Sequence, residues 1–182
     1  MKSLQGRSMT AVILVSLMAA SASCGDDQPD GDGVPNSGVW TDSTSGLTWP
    51  TSHLEPMSWN DANNYCNELV LGGYDDWRLP TISELRTLVR GCPTQSPDGA
   101  CGITDSCIGF SCQDSCYPCV TSHGPTNGCY GPTELPDECG CFWSSSGPSA
   151  HPSSTFWDFD FEDGFIDTND YEVDLVRCVR PV

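Results

Sequence analysis

The 182-residue sequence contains few basic side chains and only one lysine, Lys2. Seven Lys and Arg stand against 25 Asp and Glu, which gives a formal net charge of −18. Proteins whose main partner is DNA, RNA or an anionic lipid surface use clustered basic residues to neutralise phosphates. The scarcity of basic residues therefore argues against nucleic acid as a partner. We expect any attachment to a membrane to be through a lipid anchor.

The sequence also lacks an apolar run of about 18 residues, so no segment is long enough for a lasting transmembrane helix. The longest mostly apolar stretch covers residues 11–20, with Lys2 and Arg7 before it and small residues after it. A basic start, an apolar middle and a small-residue end are typical of a secretory signal peptide. We predict this peptide over residues 1–23, and its removal leaves five arginines against 25 acids, a net charge of −20.

Cys24 follows the predicted signal peptide and allows two interpretations. Small residues followed by a cysteine resemble a bacterial lipobox, in which the cysteine is acylated and becomes the mature N-terminus. Ser21 stands where that motif usually has leucine, and ordinary cleavage near Ala22 would instead release an unanchored protein. We favour lipidation of Cys24. Gly25 differs from the aspartate that retains lipoproteins at the inner membrane, so we expect an outer-membrane lipoprotein or a surface or periplasmic location.

Residues 24–38 are rich in Gly, Pro, Asp and Asn and have no apolar periodicity. This composition predicts an acidic flexible tether between an anchor and a folded domain. Asp30 and Asp32 lie two positions apart before Gly33 and resemble the calcium loops of thrombospondin type 3 repeats. Carboxylate oxygens suit a hard cation such as Ca²⁺. We favour a plain linker, with calcium binding at Asp30 and Asp32 as the alternative, and expect no other cofactor.

Cysteine is abundant, with 12 residues in the chain, which indicates export to an oxidising compartment. Between residues 92 and 140 the hydrophobic periodicity disappears, and we predict a disulfide-rich loop insertion held by cross-links instead of a core. Nine cysteines lie in it or directly after it: Cys92, Cys101, Cys107, Cys112, Cys116, Cys119, Cys129, Cys139 and Cys141. Because nine is odd, a lipidated Cys24 would leave one cysteine without a partner in the chain.

Cys116 and Cys119 have the CxxC spacing of thiol–disulfide exchange sites and of zinc knuckles. A redox site would use a helix N-terminus to activate a thiol, and none is predicted here. Zinc would need a second CxxC or a histidine pair, whereas only His123 is near. We therefore predict that both cysteines form structural disulfides.

The rest of the sequence alternates between strand and helix signals. Residues 39–49 have a hairpin pattern, and Ser58 and Thr81 are predicted to cap two helices. The alternation in residues 155–161 predicts a strand with aromatic side chains on one face and aspartates on the other. More short strands are predicted towards the C-terminus. Together these signals indicate an α+β domain over residues 39–182.

Six segments carry a recognisable pattern, in this order: GLTW at 46–49, MSWNDA at 57–62 leading to Tyr65 and Cys66, LGGY and DWRLPT at 71–81, FWSS at 142–145, WDF at 157–159 and VRCVR at 176–180. Together they resemble the Lcl C-terminal domain family, a domain of unknown function in secreted bacterial proteins. The resemblance covers about residues 39–91 and 141–181, and the insertion at 92–140 departs from it.

The resemblance implies a C-type lectin-like fold, with two helices, antiparallel sheets and the chain ends close together. In that fold a disulfide joins the first helix to the last strand, which implies a bond between Cys66 and Cys178. The matching motif residues are expected to be structural: Trp77, Arg78, Pro80, Trp143 and Trp157. Arg78 has the donor geometry to pair with a carboxylate, and ligand binding by Arg78 is the alternative.

No catalytic arrangement follows from residue spacing. His53, His123 and His151 lie far apart in loop-like sequence, so no Ser-His-Asp or Cys-His set is indicated. Eight acids between residues 158 and 174 are interpreted as a solvated face, with a glycosidase carboxylate pair as the alternative. The string Trp59-Asn60-Asp61 resembles the calcium–sugar motif of C-type lectins, but here it opens a helix instead of lying on a late strand.

We therefore predict a non-enzymatic binding or adhesion module of the cell envelope or surface, with a glycan or protein ligand that the sequence does not identify. The family resembles adhesins for polyanionic sugars. A net charge of −20 opposes such ligands, so a neutral glycan or a protein is favoured. The alternatives are an enzyme of the formylglycine-generating or thiol-redox type, and a purely structural envelope lipoprotein.

Overall fold

The computed structural model describes residues 38–119, 123–136, 139–147, 155–169 and 173–182. The predicted signal peptide and all but the last residue of the predicted tether lie outside this part of the chain, and so do Cys24, Asp30, Asp32 and His151. In the described ranges, no helix has both the length and the apolar character needed to cross a bilayer.

The first sheet has three strands and contains the predicted hairpin. Strands β1 (Val39–Asp42) and β2 (Leu47–Pro50) pair antiparallel, and β8 (Arg180–Pro181) adds to the other side of β2. The turn between β1 and β2 closes through Gly46, whose φ of 70° suits glycine and whose N–H donates to the Asp42 carbonyl at 2.9 Å. This sheet therefore brings the first and last strands of the domain together.

Two helices begin at the predicted caps. In α1 (Trp59–Glu68) the Ser58 hydroxyl accepts from the Asp61 backbone N–H, and Ala62 and Cys66 are buried. In α2 (Ile82–Thr87) Thr81 and Glu84 form a reciprocal capping box. Both starts follow from local side-chain hydrogen bonds, which is why the sequence alone located them.

The second sheet has five strands in the order β3-β7-β4-β5-β6. The strands are β3 (Leu54–Met57), β4 (Cys141–Trp143), β5 (Phe156–Asp160), β6 (Phe165–Asn169) and β7 (Asp174–Val176). The expectation of purely antiparallel sheets is wrong here, because β4 pairs with β7 in parallel. The chain passes through the β5–β6 hairpin and returns on the far side of β4, so β7 runs in the direction of β4.

The core has two clusters. The larger cluster lies between α2, the central strands and the insertion, and Trp49, Phe142 and Phe159 are fully buried in it. The smaller cluster lies under α1, where the Trp59 ring stacks on Phe156 with centroids 3.6 Å apart. The domain is therefore α+β, with helices against antiparallel and mixed sheets.

The insertion contributes to the larger cluster, which its aperiodic sequence did not predict. Ile103, Tyr130 and Leu135 are fully buried against that cluster. A short 3₁₀ helix, Phe110–Cys112, is the one helical element assigned in the described part of the insertion. Cross-links and buried side chains both hold this segment, so the expectation of cross-links instead of a core is wrong.

Arg86 of α2 attaches the insertion to the rest of the domain. Arg86 is 1% exposed, and its guanidinium donates to the carbonyls of Gln95 at 2.9 Å and Ser96 at 2.7 Å, and also to that of Ile103. Burial lowers the pKa of this guanidinium. The partners of Arg86 are backbone carbonyls and not a carboxylate. No charge pattern in the sequence therefore indicated its role.

Candidate functional site

The DWRLPT segment joins α2 to both sheets. The buried Trp77 indole donates to the Leu71 carbonyl at 3.3 Å. Arg78 makes a bidentate ion pair with Glu84, with N–O distances of 2.6 and 2.7 Å. That pairing raises the pKa of Arg78. Pro80 presents its carbonyl to the Ser145 N–H at 2.7 Å. The polar groups of the motif are therefore used in contacts within the domain.

Two further motif tryptophans have internal partners as well. The Trp143 indole N–H donates to the Met57 carbonyl at 2.8 Å, which links β4 to β3. The Trp157 indole N–H donates to the Ile108 carbonyl at 2.9 Å, which links β5 to the insertion. Both side chains are buried, so neither is placed to contact a ligand.

Cys66 and Cys178 form a disulfide with their Cα atoms 5.5 Å apart. The bond joins α1 to the segment between β7 and β8 and closes a sequence separation of 112 residues. It lies in the smaller core cluster beside Trp77 and Trp143. The disulfide therefore cross-links the N-terminal part of the domain to its C-terminal segment.

Eight of the nine insertion cysteines pair with each other. The bonds are Cys92–Cys119, Cys101–Cys116, Cys107–Cys112 and Cys129–Cys139. The two cysteines of the CxxC segment therefore belong to different disulfides and do not form an exchange pair with each other.

Cys141 is the one cysteine in the described part of the chain that is not in a disulfide. It lies at the start of β4, opposite Asp160 of β5, and is half-buried. Burial, together with the negative charges of Asp160, Asp158 and Asp174, raises the pKa of the Cys141 thiol. The thiol stays protonated, which is the opposite of the activation that a nucleophilic cysteine needs.

The acidic residues of the C-terminal strands do not all form a solvated face. Asp158 is 6% exposed and Asp174 is 7% exposed, so that prediction is wrong for these two. Burial, together with the negative charges of Asp174, Asp167 and Asp160, raises the pKa of Asp158 to about 8. The described ranges contain no group of three or more ligating side chains arranged to hold a metal ion.

A cavity lies between the β1–β2 hairpin and the insertion, and we call it the hairpin groove. It has a volume of about 510 Å³. Residues 40–44 form one side, residues 125–126 and 132–134 of the insertion form the other, and Arg90 lies between them. A cavity of this size is within the range of small-ligand sites, about 300–1,000 Å³.

The hairpin side of the groove has a rigid turn. The Asp42 carboxylate accepts from the Thr44 N–H and from the Ser45 hydroxyl, both at 2.9 Å. Both carboxylate oxygens are used in the turn, so the Asp42 side chain supports this side of the groove. Ser43 and Thr44 are exposed at its edge.

Arg90 lines the hairpin groove. Arg78 and Arg180 are paired with acids, and Arg86 and Arg177 are buried, all within the described ranges. Arg90 is half-buried, and its Nη1 donates to the carbonyls of Thr87 at 2.7 Å and Val89 at 3.1 Å. These bonds fix the guanidinium at the groove.

A second, smaller cavity of about 220 Å³ lies between the β2–β3 connection and α1. Its walls are mostly apolar and include Leu54, Leu69, Leu71 and Val176. Tyr65 lines it and is 40% exposed. It offers few polar groups to orient a ligand.

Sequence reasoning identified neither Arg90 nor Glu134 as site residues, and it treated Trp40 only as part of a strand. The groove joins residues 40–44, Arg90 and residues 125–134, which are far apart in sequence and belong to different structural elements. The one signal for this site in the sequence was that Arg90 is an arginine outside the six motif segments.

The sequence matches the Lcl C-terminal domain family over residues 38–180, which is most of the chain and includes the insertion. A search among curated proteins gives no match.

Proposed function

Because the chain belongs to the Lcl C-terminal domain family, we propose that it is a non-enzymatic binding module of the cell envelope or cell surface. Its ligand is a glycan or a protein. The hairpin groove carries this proposal, because an open cavity of about 510 Å³ combines an aromatic side chain, Trp40, with Arg90 and several polar side chains. Such a mixture is typical of recognition sites.

The remaining titratable groups favour binding over catalysis. The Cys141 thiol is protonated, and Cys116 and Cys119 lie in separate disulfides. A nucleophilic thiol needs a lowered pKa or a base that takes its proton, whereas burial and the charges of the nearby carboxylates raise the pKa of Cys141.

We propose a C-type lectin-like arrangement for the fold. It is supported by strands β1 and β8 on either side of β2 and by the bond from Cys66 on α1 to Cys178 near the C-terminus. Export is supported by five disulfides in the described ranges, since such bonds persist in oxidising compartments. Lipidation of Cys24 and attachment to the outer membrane belong to the same proposal.

The test is to probe a glycan array and an array of envelope proteins with the purified, oxidised protein. The matched control is the same protein after reduction and alkylation, which breaks the disulfides that hold the insertion. We expect saturable binding by the oxidised form alone. Turnover of a substrate by a protein that binds neither array would contradict the proposal.

A further inference from the structure

We propose that the hairpin groove binds a neutral oligosaccharide, with one sugar ring against Trp40 and sugar hydroxyls on Arg90 and Glu134. This inference rests on the proposed function, because it names the ligand class of the same binding module. It follows from the charge balance, the hydrogen-bonding groups and the rigidity of the groove.

The groove has a formal net charge of −1. Arg90 contributes one positive charge, and the buried Asp42 and the exposed Glu134 contribute one negative charge each. The chain from residue 24 onward has a net charge of −20. A sulfated or otherwise polyanionic ligand would meet that negative field with a single cation, so an uncharged polar ligand fits better.

The hydrogen-bonding groups of the groove match a polyol. Arg90 uses Nη1 for backbone carbonyls, and Nε and Nη2 have no hydrogen-bond partner within the described ranges. Glu134 offers acceptor oxygens, and the exposed Thr133 hydroxyl donates to one of them at 3.1 Å. Hydroxyl groups of a sugar both donate and accept, so they satisfy a guanidinium and a carboxylate side by side.

The groove also has apolar surfaces of the kind that a sugar ring covers. Trp40 is half-buried against the core and lines one side, and Pro125 and Pro132 line the other. Aromatic side chains give large contact area with two rotatable bonds and so lose little entropy on binding. The C–H face of a sugar ring requires such a flat apolar surface.

The two sides of the groove are held in place before any ligand binds. Gly91, directly after Arg90, has a φ of 78°, and a Cβ there would lie 2.7 Å from the Pro125 ring. Only glycine permits this close approach of the segment after α2 to the insertion. Thr126 then fixes the wall, since its hydroxyl donates to the Gly131 carbonyl at 2.7 Å. A preformed cavity reduces the ordering cost of binding a small ligand.

The test is isothermal titration of the intact, oxidised protein with four neutral probes: chitotetraose, cellotetraose, maltotetraose and mannotetraose. Heparin serves as the polyanionic comparison. We expect at least one neutral probe to bind, with heparin binding at least about tenfold more weakly.

Variants locate the site. We expect Trp40→Ala to weaken binding by about tenfold or more and Arg90→Gln by about threefold to tenfold. Trp40→Phe keeps an aromatic ring and should stay within about threefold. Tyr117→Ala is the matched control, because Tyr117 is 73% exposed and lies outside the groove, and its affinity should not change. If Trp40→Ala fails to fold, Arg90→Gln decides the question.

Each result has one meaning. If the protein binds heparin but no neutral probe, the inference is overturned and the binding function stands. Neutral-probe binding that is unchanged in Arg90→Gln and Trp40→Ala also overturns it. If no ligand of any class binds on the arrays, the proposed function itself fails.

Discussion

Replacing Asp158 by Asn should remove most of the pH dependence of stability between pH 5 and pH 9. Asp158 is 6% exposed, and burial together with the charges of the neighbouring carboxylates raises its pKa to about 8 from a reference of 3.8. A group whose pKa is raised by folding binds more protons in the native state, so its contribution is greatest below about pH 4 and is lost as pH rises through 8.

The magnitude follows from the two pKa values. At about 1.4 kcal/mol per unit, ionising Asp158 in the fold lowers the free energy of unfolding by about 4 kcal/mol between pH 5 and pH 9. Asn cannot ionise and mimics the protonated form. Asp76 and Glu84, whose pKa values are lowered by their arginine partners, act only at more acidic pH.

The assay is urea unfolding at pH 5, 7 and 9 with the disulfides intact. We expect the wild-type protein to lose stability steadily towards pH 9 and Asp158→Asn to stay nearly level. Asp98→Asn is the control, because Asp98 is exposed and its charge is not among those that act on Asp158. If Asp158→Asn shows the same decline as the wild type, Asp158 is ionised in the fold and the reasoning is refuted.

Three further predictions concern cross-links and the insertion. Peptide mapping should find Cys141 as a free thiol that thiol reagents modify only after unfolding, and rapid labelling in the native state would contradict this. Changing Cys66 and Cys178 together to Ala should cost about 4–5 kcal/mol in chemical unfolding, since the bond spans 112 residues; an unchanged midpoint would argue against it. Arg86→Met should cost about 3–5 kcal/mol and expose the insertion to limited proteolysis, because three buried carbonyls lose their donor. An insertion that stays protease-resistant in Arg86→Met would rule out that role.

The helix starts were predictable because their causes are local. Ser58 with Asp61, and Thr81 with Glu84, are within three residues of each other, and their hydrogen bonds need no tertiary contact. The bond between Cys66 and Cys178 came from the family resemblance, since sequence spacing alone gives no pairing.

The burial of Asp158 was not predictable from alternation. A period of two tells which residues share a face of β5, but it does not tell whether another element covers that face. In the fold β4 lies between β5 and β7. The charges of Asp158 on β5 and of Asp174 on β7 therefore both act on Cys141 of β4. The parallel β4–β7 pairing has the same origin, because it depends on a crossover that no short pattern encodes.

The hairpin groove was not predictable for a related reason. Its residues come from β1, from the end of α2 and from the insertion. The path of the insertion depends on four disulfides, and eight cysteines allow about 105 pairings. The sequence alone therefore could not place Trp40, Arg90 and Glu134 at one cavity.

The most direct test of the account is chemical-shift mapping of the ¹⁵N-labelled protein during titration with the neutral tetrasaccharide that binds best. We predict the largest shifts at Trp40, Arg90 and Thr133, with Tyr65 of the smaller cavity and Tyr117 unchanged. Shifts confined to Tyr65 and its neighbours, or none at the groove under saturating ligand, would contradict the claim that the hairpin groove is the binding site.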